Sequence, residues 1–182
     1  MATLYDEITP EISEFIAKQQ MFFVATAPSS GGSINMSPKG LDSFVVLGPN
    51  EVAWLDLMGS GVETLAHLKD DGRITMMFCG FTGAPNIVRL YGTGEAVRPG
   101  DPRFDELRAL FGDFNAVRSV VRVDVTRTSD SCGFGVPLME FKGDRRALIA
   151  WGDKKTPDEL AAYERKKLAT SIDGLPGITD HA

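Results

Sequence analysis

The stretch MFFVATAPSSGGSINMSPKG, residues 21–40, places a turn signal between two short runs that are typical of strands. Aromatic and β-branched residues dominate the first run, which favours an extended conformation. The small residues of SSGGS, at 29–33, then supply a hairpin turn, and the second strand is expected to start near Ile34. The order strand, tight turn, strand predicts an antiparallel pair at this point of the chain.

Similar strand and turn signals recur downstream, so we expect five to seven strands joined mainly by hairpins. Further strands are predicted in FVVLGPNEVAWLDL (44–57, with a turn at Gly48-Pro49-Asn50), RITMMFCGF (73–81), NIVRLYGTGEAV (86–97) and SVVRVDVTRTSDSCGFG (119–135). Helices are predicted in TPEISEFIAKQQ (9–20), ETLAHLKDDG (63–72), DPRFDELRALFG (101–112) and TPDELAAYERKKLAT (156–170). Three of these helices open with a capping Thr or Asp that is followed by proline.

Hairpin-linked strands with helices on the flanks predict a mainly β fold, an antiparallel barrel rather than a doubly wound parallel sheet. Parallel crossovers would require strands and helices to alternate regularly, and they do not. The glycine pattern GxGxxG of dinucleotide-binding folds is absent, and no GK[ST] follows the glycines. The 182 residues are expected to form a single domain.

Composition and charge exclude several classes of protein. A formal net charge of −6 argues against a general nucleic-acid binder. No apolar run approaches the roughly 20 residues of a membrane span. The acidic N-terminus MATLYDEITPEISEF lacks the pattern of a signal peptide, so a cytoplasmic location is expected. With two cysteines and two histidines, no metal site is expected.

The loop in DLMGSGVETLAHL, residues 56–68, allows two interpretations. Its small residues, Gly59, Ser60 and Gly61, precede a helix, and backbone N–H groups at a helix start attract phosphate. The spacing of Ser60 and Glu63 also fits a capping box, which would be purely structural. Both interpretations can hold together, because a helix N-terminus can be capped and still attract an anion.

The order of VATAPSSGGSINMSPKG, VAWLDLMGSGVETLAHLKDDGRITMMFCGF and VRLYGTGEAV resembles the pyridoxamine 5′-phosphate oxidase-related, FMN-binding split-barrel proteins. The resemblance covers roughly residues 15–125, and the C-terminal third resembles an uncharacterised branch of that family. It implies a split β-barrel domain over residues 1–182, with 127–182 as an extension packed on the barrel. It also implies a homodimer with one FMN in each of two clefts between the subunits.

The same resemblance implies where the cofactor binds. The cofactor-binding residues that it points to are Ser37, Lys39, Gly59, Ser60, Gly61, Thr64 and Arg89. Lys39 and the hydroxyls would hold the phosphate, whereas Arg89 would lie near the flavin ring. The oxidases of this family carry an Arg-Lys pair where this chain has Glu63 and Thr64, which is a departure from the pattern.

The resemblance favours an FMN-dependent oxidoreductase acting on a small organic substrate, with a nicotinamide or deazaflavin electron donor. The alternative is a non-catalytic protein that binds flavin or haem for storage or sensing. Oxidation of vitamin B6 is disfavoured, because EFKGDRRALIAWGD (140–153) keeps two arginines but lacks the histidine of the substrate grip. No catalytic residue can be assigned, since the flavin itself carries the hydride.

Overall fold

A computed structural model describes residues 2–179, which fold around one eight-stranded antiparallel sheet. The strands are β1 (Thr3–Tyr5), β2 (Phe22–Thr26), β3 (Asn35–Lys39), β4 (Phe44–Gly48), β5 (Glu51–Leu57), β6 (Arg73–Cys79), β7 (Asn86–Val97) and β8 (Val117–Cys132). Their order is β3-β2-β6-β7-β8-β5-β4, and β1 pairs with the far end of β8. The prediction of an antiparallel, mainly β fold is confirmed, with one strand more than the five to seven expected.

The sheet coils until its two ends meet. Phe22 lies on β2, next to one end of the strand order, and Phe44 lies on β4, at the other end. Their ring centroids are nevertheless only 4.9 Å apart, and Phe78 of β6 stacks on Phe22 at 5.4 Å. This aromatic contact across the strand order closes the sheet into a barrel, whose core also contains the fully buried Trp54.

The hairpin predicted from residues 21–40 forms as expected. Phe22 pairs with Lys39 and Thr26 pairs with Asn35, so the two strands are in register along their full length. Because side chains alternate along a strand, Asn35, Ser37 and Lys39 lie on one face of β3. This face, on an end strand of the sheet, is the starting point of the candidate site.

The helices are α1 (Pro10–Ala17), α2 (Glu63–Asp70), α3 (Phe104–Arg108), α4 (Ala147–Gly152) and α5 (Pro157–Lys167). The two Thr-Pro starts are confirmed: Thr9 caps α1, and Thr156 forms a capping box with Glu159 in α5. The predicted cap at Asp101 is wrong. There the side chain accepts from the N–H of Arg103 in a turn, and α3 begins only at Phe104.

The segment after the barrel packs on α2 and on the loop before it. Leu168 and Ile178 are buried against Met58, Val62 and Leu65. Residues 127–132 continue β8 and pair with β7, and residues 137–148 are exposed to solvent. The C-terminal segment therefore supports the start of α2 from outside the barrel.

We predict that the ring contact between the sheet ends is a main source of stability. Phe78→Ala removes a side chain that is 1% exposed and leaves a cavity in the core, so the free energy of unfolding should fall by about 3–5 kcal/mol. Ile172→Ala changes a large apolar residue that is 75% exposed, and it should cost less than about 0.5 kcal/mol. Urea unfolding of both variants measures the difference, and similar losses would contradict the closure by aromatic packing.

Candidate functional site

A cavity of about 390 Å³ lies between β3, the end of β5 and the start of α2. Its lining includes six of the seven residues predicted to bind the cofactor, namely Ser37, Lys39, Gly59, Ser60, Gly61 and Thr64. The strand alternation of β3 supplies Ser37 and Lys39, the loop between β5 and α2 supplies the glycines and Ser60, and the first turn of α2 supplies Thr64. The structure thus brings two distant parts of the sequence together; their role in cofactor binding stays a prediction.

The charged centre of the cavity is an ion-pair cluster around Asp56. Lys39 Nζ lies 3.0 Å from Oδ1 of Asp56, and Arg118 Nε lies 2.7 Å from Oδ2. The hydroxyl of Ser119 donates to the same Oδ2 at 3.3 Å. Both carboxylate oxygens are therefore occupied, and both cations are held at the cavity wall.

The buried Asp56 carboxylate is ionised despite its environment. Burial raises the pKa of this carboxyl, but the charges and hydrogen bonds of Lys39 and Arg118 outweigh that effect and bring the pKa to about 2. A fully buried carboxylate is stable only with such partners. Asp56 therefore acts as a permanent negative charge that orients two cations.

Sequence reasoning missed Arg118, and a β-bulge explains why. Asp56 pairs with Ser119 and Leu57 pairs with Val117, so Arg118 is the extra residue in the ladder between β5 and β8. The bulge turns two consecutive polar side chains of β8 toward Asp56. A charged residue within the apolar run VRSVV was the signal that could have found it.

The loop between β5 and α2 is fixed by this cluster rather than by a cap. Arg118 Nη1 donates to the carbonyl of Gly61 at 2.6 Å. The predicted capping box of Ser60 and Glu63 is wrong, because α2 begins at Glu63 with Val62 as its N-cap and no side chain caps it. Burial of Val62 against Leu168 sets this start.

A second network reaches from the cavity into the barrel wall. Asn35 Nδ2 donates to Thr64 Oγ1 at 3.0 Å, and Thr26 Oγ1 lies 3.0 Å from Nδ1 of His67. His67 is 1% exposed and does not line the cavity. The network orients the amide of Asn35 and the hydroxyl of Thr64, so a structural role for His67 is the simplest interpretation.

Arg89 lies elsewhere. It stands on β7 between the buried core residues Val88 and Leu90, faces away from both, and donates to Ser131 Oγ at 3.2 Å. It does not line the cavity that contains the other six residues. Its contact with a flavin ring stays a prediction.

Comparison with known proteins assigns the family. The family model described as pyridoxamine 5′-phosphate oxidase matches residues 8–132, which span β2 to β8 and every element that lines the charged part of the cavity. The chain belongs to the pyridoxamine 5′-phosphate oxidase family. A curated member, the pyridoxamine 5′-phosphate oxidase family protein ustO of Aspergillus flavus, is 37% identical over 195 residues, covering 98% of this chain and 78% of the relative.

Solved structures agree with the fold of this family. A Lactobacillus delbrueckii protein solved as a candidate pyridoxamine 5′-phosphate oxidase superposes with a TM-score of 0.54 at 20% identity, covering 68% of this chain and 94% of that one. HupZ of Group A Streptococcus superposes with a TM-score of 0.51 at 22% identity, covering 66% of this chain and 91% of HupZ. At these identities the likeness shows the split-barrel fold alone.

Residues 2–179 contain neither a metal-binding cluster nor a membrane-spanning helix. Within 2–179, no group of three or more His, Cys, Asp or Glu side chains is placed to hold a metal ion. Within the same range, no helix has the length and apolar character needed to cross a membrane.

We predict that Asp56 contributes to stability in a pH-dependent way. Its folded pKa of about 2 lies below the ordinary 3.8, so its contribution is full above pH 4 and is lost as the pH falls toward 2. Between pH 5 and pH 3 the wild-type protein should lose about 1 kcal/mol that Asp56→Asn does not lose. At pH 7 the same variant should cost about 3 kcal/mol, because two cations lose their partner.

Urea unfolding at the three pH values measures both effects. Asp113→Asn is the matched control, because this carboxylate is fully exposed and lies 3.9 Å from its nearest cation, Arg108. It should follow the wild-type pH profile. Parallel profiles for the wild-type protein and Asp56→Asn would show that the buried ion pairs do not form in solution.

Proposed function

We propose that this protein binds FMN with its phosphate in the cavity of Lys39, Arg118 and Thr64, and that it uses the flavin as an oxidoreductase. The observation that carries the proposal is the Asp56 cluster. It holds two cations against one carboxylate, which leaves one positive charge in excess beside hydroxyl groups. A phosphate would supply the missing negative charge.

The cavity suits a phosphate because its donors are already in place. Lys39 has a side chain that is 20% exposed and Arg118 one that is 4% exposed, so both are shielded from bulk water and the field of their charges is weakly screened. Asp56 fixes their positions before a ligand arrives, which reduces the entropy lost on binding. Ser37, Ser60 and Thr64 add hydroxyls that can donate to phosphate oxygens.

The rest of the cavity suits a larger ligand than phosphate. Its volume of about 390 Å³ lies in the usual range of small-molecule sites, and Leu55, Leu57 and Leu148 supply apolar contacts. Bound FMN would supply hydride or electron transfer. The residues of this chain would bind and orient it, and we propose a small organic substrate with a nicotinamide or deazaflavin donor.

Haem is a poorer fit to this chain than flavin. Among residues 2–179 the one histidine is His67, which is buried outside the cavity with Nδ1 engaged by Thr26. The second histidine of the sequence, His181, lies outside the described residues. His67 therefore provides no axial ligand that faces the proposed site.

We also propose that the protein acts as a homodimer. Between β8 and α4 the chain exposes four large apolar side chains, Phe134, Leu138, Met139 and Phe141. Leu148, which lines the cavity, is 39% exposed as well. A continuous exposed apolar segment of this kind marks an interaction surface, and a second copy that covers it would also cover the open side of the cavity.

We predict that Lys39→Met weakens the binding of FMN much more than the binding of riboflavin. The change keeps most of the side-chain stem and deletes one charge, so FMN affinity should fall about ten- to a hundredfold. Riboflavin lacks the phosphate, so its affinity should change little. Lys18→Met, an exposed lysine on α1, is the control and should change neither affinity. Fluorescence titration of both ligands decides, and equal losses for FMN and riboflavin would contradict the phosphate assignment.

The oxidoreductase part of the proposal has its own test. The FMN-loaded protein should be reduced under anaerobic conditions by a reduced nicotinamide nucleotide or a reduced deazaflavin, which is itself oxidised, faster than free FMN is. Absorbance of the flavin follows the reaction. Reduction and air reoxidation at the rates of free FMN would instead identify a non-catalytic flavin carrier.

We predict that the exposed apolar segment holds the dimer together. The double variant Phe134→Ser, Leu138→Ser should shift sedimentation from dimer to monomer at micromolar concentration, because it removes two anchors of the proposed interface. Leu4→Ser, at a residue that is 63% exposed on β1, is the control. A wild-type protein that sediments as a monomer in the presence of FMN would overturn the homodimer.

A further inference from the structure

We propose that Glu63 determines ligand specificity: its carboxylate accepts a hydrogen bond from a ligand hydroxyl next to the bound phosphate. The inference rests on the proposed FMN site and adds a second chemical requirement to it. The ligand must carry an anionic group and, beside it, a hydroxyl donor.

Glu63 is the first residue of α2 and lines the cavity together with Lys39 and Arg118. Its Oε2 occupies the space that a Cβ atom at position 61 would fill, so a side chain there would displace the carboxylate. Gly61 thus permits the carboxylate to fold back over the loop. This places Glu63 at the phosphate end of the cavity and not on the outer surface of the helix.

The Glu63 carboxylate has no partner within residues 2–179. Neither a hydrogen bond nor an ion pair within 4 Å joins it to the described side chains, although two cations line the same cavity. Those cations are already engaged, Lys39 at 3.0 Å and Arg118 at 2.7 Å from Asp56. Asp56, and not Glu63, therefore orients Lys39.

The charge of the cavity changes when Glu63 is included. The Asp56 cluster carries one positive charge in excess, and Glu63, which lines the same cavity but pairs with neither cation, offsets part of that charge at longer range. A bare phosphate dianion meets the Glu63 carboxylate as well as the cations, and this repulsion weakens its binding. Part of the attraction that the start of α2 offers to an anion is already taken up by Glu63.

An ionised carboxylate can only accept hydrogen bonds. A ligand gains from Glu63 only if it brings a donor to the edge of the phosphate site. The ribityl chain of FMN has hydroxyls next to its phosphate, whereas inorganic phosphate has no such chain. Glu63 therefore turns a general anion site into one that selects a phosphorylated polyol.

The test is Glu63→Gln, which keeps the shape of the side chain and removes its charge. Inorganic phosphate, measured by competition with FMN, should bind about fivefold more tightly because the repulsion is gone. Riboflavin should bind about threefold more weakly because its hydroxyl loses a charged acceptor. Glu63→Ala removes the acceptor altogether, so it should lower the affinity for riboflavin about tenfold. The affinity for phosphate should rise as it does in Glu63→Gln.

Glu11→Gln is the matched control. Glu11 also stands in the first turn of an eight-residue helix, α1, but outside the cavity, so both affinities should stay at their wild-type values. In Glu63→Gln the affinity for phosphate should rise while the affinity for riboflavin falls. A purely structural role of Glu63 would not change the two affinities in opposite directions.

The outcomes separate the two proposals. If both probes change in the same direction or stay unchanged in Glu63→Gln, while Lys39→Met still loses FMN selectively, the role of Glu63 is overturned and the FMN site stands. If the wild-type protein binds neither FMN nor riboflavin, the FMN site and the role of Glu63 fall together.

Discussion

The buried carboxylate of Asp56 is the constraint on which the site and part of the barrel depend. It binds Lys39 of β3 and Arg118 of β8, and β3 and β5 lie far apart in the strand order. The Asp56 carboxylate on β5 therefore connects β3, the first strand of that order, with β8 and β5 near its other end. The aromatic contact of Phe22 and Phe44 closes the sheet in the same sense from inside the barrel. The polar site and the apolar core thus depend on the same curvature of the sheet.

The same group of charges would then serve both the stability of the fold and the proposed binding of a phosphate. A buried carboxylate loses its hydration, and that loss is offset only when cations and hydrogen-bond donors stand close to it. Two cations do more than offset one carboxylate, and the excess positive charge is what a phosphate would neutralise. The surplus charge, together with the unpaired Glu63 at the loop, is the feature that points to a ligand.

Much of the fold and part of the site could be predicted from local patterns. The hairpin of residues 21–40 and the Thr-Pro starts of α1 and α5 follow from turn and capping chemistry within a few residues, and they are confirmed. The predicted capping box of Ser60 and Glu63 does not form, because packing of Val62 against the distant Leu168 sets the start of α2. Arg118 could not be predicted, because a β-bulge interrupts the side-chain alternation from which the facing of strand residues is inferred.

The sequence by itself determined the hairpins β2–β3, β4–β5 and β6–β7 and the polar face of β3, because these arise from contacts between residues close in the chain. It also contained the departure at Glu63, which is a matter of residue identity. Only the tertiary structure decided which partner each charge has. Lys39 and Arg118 both bind Asp56, and Glu63 has no ion-pair partner among residues 2–179. These pairings link positions 17 and 62 residues apart. They form because the sheet coils and bulges, and neither event is encoded in a local pattern.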